Sequence, residues 1–133
     1  MKTTRQKTIY IAARFGEKDN VREIYERFTE KGHRVVGDWT NHKPIKPYQE
    51  HGELAREYAI EDIEAAANCD VFILLSSEAG TGMYIELGAA MAQKIAYGKP
   101  EIYVVGKHLN RSMFYFHPTV NRRQNIDEVI REL

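Results

Sequence analysis

Short apolar runs, bounded by glycine, proline or polar residues, recur along the chain. The four clearest lie at residues 8–13, 34–37, 71–75 and 102–105. They are rich in β-branched and aromatic residues, a composition that favours β-strands. The run at 71–75, Val-Phe-Ile-Leu-Leu, has no polar position, as expected for a central parallel strand that is covered on both faces. We predict strands at all four runs and a short fifth strand at 114–116, Phe-Tyr-Phe.

The segments between these runs carry apolar residues at helical spacing. In the first helix, Asp19 or Asn20 is the candidate N-cap and Gly32 the candidate C-cap. Its apolar face is formed by Val21, Ile24, Tyr25 and Phe28. A second helix is predicted at 50–68, with an apolar face of Leu54, Tyr58, Ile60, Ile63 and Ala67. Two further helices are predicted at 83–97, closed by Gly98 and Pro100, and at 124–133.

Strands therefore alternate with helices, which predicts an α/β fold with a doubly wound parallel sheet in a single domain over residues 1–133. For about five strands, the flavodoxin-like strand order 2-1-3-4-5 is expected. Ligands of such sheets bind beyond the carboxyl ends of the strands, at the switch point between strands 1 and 3. Three loops should meet there, at 14–19, 38–48 and 76–82. Loop 38–48 is longer than most connections in compact α/β proteins, which indicates function or disorder.

Composition narrows the class of protein. The chain has 133 residues, of which 43% are hydrophobic and 29% charged, as in ordinary globular domains. Its 19 basic and 19 acidic residues cancel, whereas proteins that bind nucleic acids usually carry a basic excess. No apolar run approaches the roughly 20 residues of a membrane span, and the apolar stretch after the basic start is too short for a signal peptide. With Cys69 as the single cysteine, we expect no disulfide framework and a cytoplasmic location.

Several kinds of site lack their residues in this sequence. It contains neither a P-loop motif nor the Gly-x-Ser-x-Gly nucleophile elbow. The pair Gly80-Thr-Gly82 is followed by Ile85 where a dinucleotide-binding fingerprint requires glycine. The five histidines show no metal-ligand spacing and a lone cysteine forms no thiolate cluster, so no metal site is expected.

The segment 70–90 is the most informative part of the chain. It joins a buried strand to a glycine-bearing loop and then to a helix start. Glycines in the loop let backbone approach a ligand, and the free N–H groups at the helix start suit an anion. Glu86 stands near the beginning of this otherwise almost apolar helix. Its carboxylate either interacts with the helix dipole or is aimed into the cleft as a nucleophile or acid–base group.

Three other residues have both a structural and a chemical interpretation. Residues 50–70 carry seven acidic side chains and one basic one, which is usual for a solvated helix face, yet Asp62 is a second candidate for chemistry. Asp70 is more simply a turn residue at the entry to the third strand. Tyr10 in the first strand is a core residue by default, but near the carboxyl end of a strand its hydroxyl can equally point at a ligand.

Three segments together resemble the nucleoside 2-deoxyribosyltransferase family, which includes 2′-deoxynucleoside 5′-phosphate N-hydrolases. Lys-Thr-Ile-Tyr-Ile-Ala-Ala at 7–13, with Phe15, is similar to the opening strand and loop of that family. Asp62 and Asp70 match an aspartate–x7–aspartate pattern before the third strand. Gly-Met-Tyr-Ile-Glu-Leu-Gly-Ala at 82–89 is similar to the signature that carries the family's nucleophile. The resemblance covers roughly residues 7–106.

This resemblance implies an enzyme that cleaves or transfers at the N-glycosidic bond of 2′-deoxyribonucleosides or their 5′-monophosphates, with no cofactor. It implies that Glu86 is a nucleophile forming a deoxyribosyl ester, that Asp62 handles the leaving base and that Tyr10 orients Glu86 or the sugar. The transition state of this reaction is oxocarbenium-like, as in glycosidases, and it suits a pair of carboxyl groups of which one is the nucleophile and the other the acid. The implied substrate-binding residues are Ala12, Arg14, Phe15, Gly80, Gly82, Met83 and Asn110.

The sequence departs from the family where the 5′-group is read. Gly80 stands where relatives have an aspartate or a serine, so a 5′-phosphate would be bound by backbone N–H groups and nearby hydroxyls, with charge from Arg14 and Lys18. The resemblance further implies a homodimer or larger assembly in which the C-terminal part completes a neighbour's site. A TIR-like NAD glycohydrolase and a nucleotide-binding module without catalysis remain open as alternatives.

Overall fold

The computed structural model describes residues 5–133, and residues 1–4 of the predicted domain lie outside this range. The nine main elements are β1 (Thr8–Ala12), α1 (Lys18–Glu30), β2 (Arg34–Val35), α2 (Gly52–Asn68), β3 (Val71–Leu75), α3 (Gly82–Tyr97), β4 (Glu101–Val105), β5 (Val120–Arg123) and α4 (Ile126–Glu132). All strand pairs are parallel, and the sheet order is β2-β1-β3-β4-β5. The predicted α/β fold and strand order are confirmed.

The sheet forms the centre of the core because its middle strands are apolar throughout. Every residue of β3 is buried, as are the last four residues of β1 and of β4. The register places Ala12 beside Leu74 and Leu75 beside Val105, so that β1, β3 and β4 end at neighbouring positions of one edge. Helices α2 and α3 pack against each other, and α1 is joined to α4 by the ion pair Arg27–Asp127.

The prediction of a fifth strand at 114–116 is wrong. This segment lies in a short 3-10 helix, Met113–Phe116, in which the Ser112 hydroxyl accepts a hydrogen bond from the N–H of Phe114. The helix turns Tyr115 into the core and leaves Phe114 and Phe116 exposed. The fifth strand is β5, which is polar because it lies at the edge of the sheet, where solvent covers part of each residue.

Several helix boundaries also differ from the prediction. Helix α1 begins at Lys18, directly after a 3-10 turn, so that Asp19 and Asn20 lie in its first turn and neither is the cap. Helix α2 begins at Gly52, because residues 48–50 form a separate 3-10 turn, and Ala66 is its one buried residue. The predicted apolar face of α2 is half covered at most positions, and Ile60 is 46% exposed.

Loop 38–48, here called the strap, lies between β2 and the start of α2 and folds against α2. Gly37 starts this crossing with a φ of +60°, and a Cβ there would lie 2.4 Å from the Cβ of Ala65, so glycine is required by both conformation and space. The Trp39 indole N–H donates to the carbonyl of Ile11 at 2.6 Å. The backbone N–H of Lys43 donates to the hydroxyl of Tyr58 on α2 at 3.0 Å. The strap is therefore tied to the sheet and to α2.

Within residues 5–133, no helix is both long and apolar enough to cross a membrane.

Candidate active site

The strap, the loop after β1 and the start of α3 enclose a pocket of about 730 Å³ at the carboxyl ends of β1 and β3. This is the switch point of the sheet, where the strand order reverses. Its volume is in the range of small-molecule sites. The lining includes Arg14, Phe15, Trp39, His42, Lys43, Tyr58, Asp62, Gly80, Gly82, Met83 and Glu86.

Glu86 is held by Tyr10 at the floor of this pocket. Tyr10 is fully buried in β1, and its hydroxyl donates a hydrogen bond to Glu86 Oε1. Burial raises the pKa of Glu86 to about 7, opposed by the Tyr10 hydrogen bond and assisted by the nearby Asp62 carboxylate. Burial and the Glu86 charge raise the pKa of Tyr10 above its ordinary value, so Tyr10 stays a hydrogen-bond donor. One carboxylate oxygen of Glu86 is thereby fixed.

Asp62 faces the same pocket from α2. Its Oδ1 is buried and has no hydrogen-bond partner among the described residues. Burial raises the pKa of Asp62 to about 6, while His42 lowers it and Glu61 raises it. Buried polar atoms are nearly always hydrogen-bonded, so an unpartnered oxygen beside a pocket is placed to bond a ligand. Two carboxyl groups with different surroundings therefore meet in one cavity.

The start of α3 forms one end of the pocket. Its N-cap residue, Thr81, makes no side-chain capping bond, so the first-turn N–H groups other than that of Tyr84, which donates to the Thr81 carbonyl at 3.1 Å, are open to a ligand. Gly80 has a φ of +104°, and a Cβ there would approach Met83 and the Cβ of Arg14 within 3.4 Å. The Arg14 guanidinium lies 3.7 Å from Glu17 and is half exposed. This end suits an anionic group.

Aromatic residues form the other walls. Phe15 and Trp39 lie with ring centroids 6.1 Å apart, and Trp39 is buried. Elsewhere in the lining the His42 ring stacks on Tyr58 at 3.6 Å. Flat apolar walls of this kind bind heteroaromatic rings by stacking.

The structure brings together most residues that the sequence singled out. Glu86, Asp62 and Tyr10 interact with one another, and Arg14, Phe15, Gly80, Gly82 and Met83 line the pocket. Two of the predicted binding residues do not line the pocket. Ala12 is buried within β1, and its neighbour Ala13 reaches the pocket instead. Asn110 accepts a hydrogen bond from Arg122 and lies outside the pocket of its own chain.

The strap residues were missed by sequence reasoning. Trp39, His42 and Lys43 line the pocket, as does Tyr58, to which the strap is tied. The length of loop 38–48 was the available signal, because long loops in compact domains usually carry function. Nothing in the residue pattern specified which of its side chains turn inward.

A second cavity of about 450 Å³ lies between α1 and α4, beside the ends of β3 and β4. It is lined by both acidic and basic side chains, among them Glu23, Arg27 and Lys107, and it contains neither Glu86 nor Asp62. We therefore place the chemistry in the larger pocket.

Among residues 5–133, no group of three or more His, Cys, Asp or Glu side chains is arranged to hold a metal ion.

Among solved structures, that of the Clostridium botulinum CMP N-glycosidase BcmB resembles this chain with a TM-score of 0.59. The match covers 96% of this chain and 100% of that chain, at 21% sequence identity. At this identity the likeness establishes a shared fold. No family model and no curated protein matches the sequence.

Proposed function

We propose that this protein cleaves or transfers at the N-glycosidic bond of 2′-deoxyribonucleosides or their 5′-monophosphates. The observation that carries the proposal is the half-buried Glu86, held by Tyr10 and facing Asp62 in a pocket of nucleotide size. The shared fold with a CMP N-glycosidase supports the same class of reaction. The resemblance to nucleoside 2-deoxyribosyltransferases supports deoxyribose as the sugar.

The proposed reaction has two steps. In the first, the free oxygen of Glu86 attacks the anomeric carbon, the bond from that carbon to the base nitrogen breaks, and Asp62 gives its proton to the departing base. In the second, water or another base attacks the same carbon and releases the Glu86 carboxylate, while Asp62 takes up a proton from the attacking group. Tyr10 holds Glu86 in position throughout.

The test is an incubation of the protein with a panel of deoxynucleosides, deoxynucleotides and their ribose counterparts, with and without a second free base. Chromatography then separates released base from transferred product. NAD belongs in the same panel, because NAD cleavage alone would support a TIR-like glycohydrolase. Binding of nucleotides without release of any base would support a module without catalysis and would contradict the proposal.

We expect a bell-shaped pH profile for kcat/KM with its maximum between about pH 6 and 7. Activity falls at low pH because Glu86, whose pKa is raised to about 7, must be ionised to attack. It falls at high pH because Asp62, whose pKa is raised to about 6, must hold its proton. The group that must ionise has the higher pKa, so only about a twentieth of the protein is in the active form at the maximum.

The pH profile is checked by rate measurements from about pH 5 to about pH 9. The Asp62→Asn variant is the control, since its amide cannot lose a proton and its residual activity should not fall at high pH. A wild-type profile that is flat across this range would contradict the roles of both carboxyl groups.

For the 5′-group, we expect Arg14→Ala to lower kcat/KM for a monophosphate about 10-fold and to leave the nucleoside unchanged. Arg14 lies beside Gly80 and the free N–H groups at the start of α3, where a phosphate would gain a charged hydrogen bond. The measurement compares the two substrates on both proteins, with Arg34→Ala at the start of β2 as the matched control. Equal losses on both substrates would argue against a phosphate role.

We expect a homodimer or larger assembly. Helix α3 exposes Ile85 and Ile95, each 67% accessible, and Met113 is 76% accessible. Contiguous exposed apolar patches are typical of protein interfaces, and these side chains are the candidates for one here. Sedimentation at micromolar concentration measures the oligomeric state, and the Ile95→Glu substitution should shift the protein toward the monomer. A fully active monomer would contradict the expectation.

A further inference from the structure

We propose that His42 is a positioning residue for departure of the base: clamped against Tyr58 and Glu61 of α2, it closes the strap over the pocket and sets the charge around the neighbouring Asp62. This inference rests on the proposed function. It adds a role for a residue of the strap that neither the sequence pattern nor the fold likeness assigns.

The clamp consists of three contacts between the strap and α2. The His42 and Tyr58 rings are parallel to within 3° with centroids 3.6 Å apart. His42 Nε2 lies 3.2 Å from Glu61 Oε2, and the next residue, Lys43, donates its backbone N–H to the Tyr58 hydroxyl. The His42 side chain is 15% exposed although it lies on a loop. So close a fit between a loop and a helix holds one conformation of the loop.

The clamp lies at the Asp62 end of the pocket. Asp62 follows Glu61 directly on α2, and Tyr58 precedes it by about one helical turn. Arg14 and the start of α3 line the same pocket and suit the 5′-group. A nucleoside that places its sugar over Glu86 therefore puts its base beneath the strap, between Asp62 and the His42–Tyr58 stack.

Titratable groups on four elements of the fold interact with the Asp62 carboxyl. His42 faces it from the strap, Glu61 from α2 and Glu86 from α3, and Tyr10 stands below it on β1. The imidazole of His42 lowers the pKa of Asp62, whereas the Glu61 carboxylate raises it. Since His42 and Glu61 touch each other, a single contact carries both opposing influences on Asp62.

The first test needs no substrate. Asp62 is titrated by NMR in protein with ¹³C-labelled aspartate carboxyls, and Asp62→Asn assigns its signal. His42→Phe keeps an aromatic ring on Tyr58 and removes the imidazole that lowers the pKa of Asp62, so we expect that pKa to rise by about half a unit. Adding Glu61→Gln to that variant removes a negative charge, and the pKa should move back down. A purely structural role for His42 predicts no such pair of opposite shifts.

The second test is kinetic. His42→Phe should leave KM within about twofold because the stack on Tyr58 survives, but should change kcat and shift the pH profile. His42→Ala loses the stack as well, and we expect its KM to rise about 10-fold as the strap opens. Glu57→Gln, an exposed carboxylate on the same helix, is the matched control and should behave as wild type.

The outcomes separate this inference from the proposed function. A wild-type protein that is inactive on the whole panel refutes the proposed function, while the titration still decides whether His42 sets the environment of Asp62. If the wild type is active, an unshifted Asp62 titration together with an unchanged KM in His42→Ala refutes the role of His42. Circular dichroism of each variant identifies any that fails to fold, and His42→Phe then serves as the more conservative replacement for His42→Ala.

Discussion

Replacing Glu86 with glutamine is expected to lower turnover at least about 10³-fold, the loss of a group worth about 4 kcal/mol in the transition state. Glutamine keeps the shape and the Tyr10 contact but removes the charge that attacks the sugar. Substrate binding should weaken only modestly, because the bond to the sugar forms in the transition state. The fold should survive, since Glu86 lies on the pocket side of α3 and not in the core. Steady-state kinetics measure turnover and substrate binding, and circular dichroism measures whether the variant folds.

The nucleophile can also be identified directly. A slow 2-fluoro-arabinosyl substrate should leave its sugar on the peptide that contains Glu86, as read by mass spectrometry after acid quench. Glu78→Gln is the matched control, since Glu78 is an exposed carboxylate in the loop just before α3. Label on a different residue, or near-normal turnover in Glu86→Gln, would overturn the proposed mechanism.

Replacing Asp62 with asparagine should cost about 10²-fold with natural bases, the scale of losing a general acid. The reason is that an amide has no proton to give, so the base must leave as an anion. The loss should shrink to a few-fold with a base that is already a good leaving group, because such a base needs no proton. The measurement compares kcat for both substrates on both proteins. This dependence on the leaving group distinguishes an acid from a residue that merely binds.

The control for this comparison is Glu64→Gln, an exposed carboxylate on α2 that does not line the pocket. This variant should have the wild-type kcat for both substrates. An equal loss in Asp62→Asn with good and poor leaving groups would show that Asp62 acts in binding and not in proton transfer.

The sequence by itself determined the sheet and the floor of the pocket. Uninterrupted apolar runs such as Val71–Leu75 can form little but buried parallel strands, and alternation with helices leaves few possible strand orders. Strand order in turn specifies which loops meet, so Glu86 at the start of α3 and Tyr10 in β1 were predictable as neighbours. Apart from helix boundaries, local pattern failed where packing decides, as at 114–116, where the need to bury Tyr115 favours a 3-10 helix over a strand.

Only the tertiary structure determined which side chains form the walls of the pocket and how far the pKa values of its two carboxyl groups are raised. No spacing rule relates His42 to Tyr58 or Glu61, which lie 16 and 19 residues further along the chain and meet because the strap folds back across α2. The raised pKa values of Glu86 and Asp62 arise from burial, and burial depends on what the rest of the chain places above each side chain. A loop has no periodicity to read, so its inward-facing residues follow from the anchors at Trp39 and Lys43 and not from local sequence.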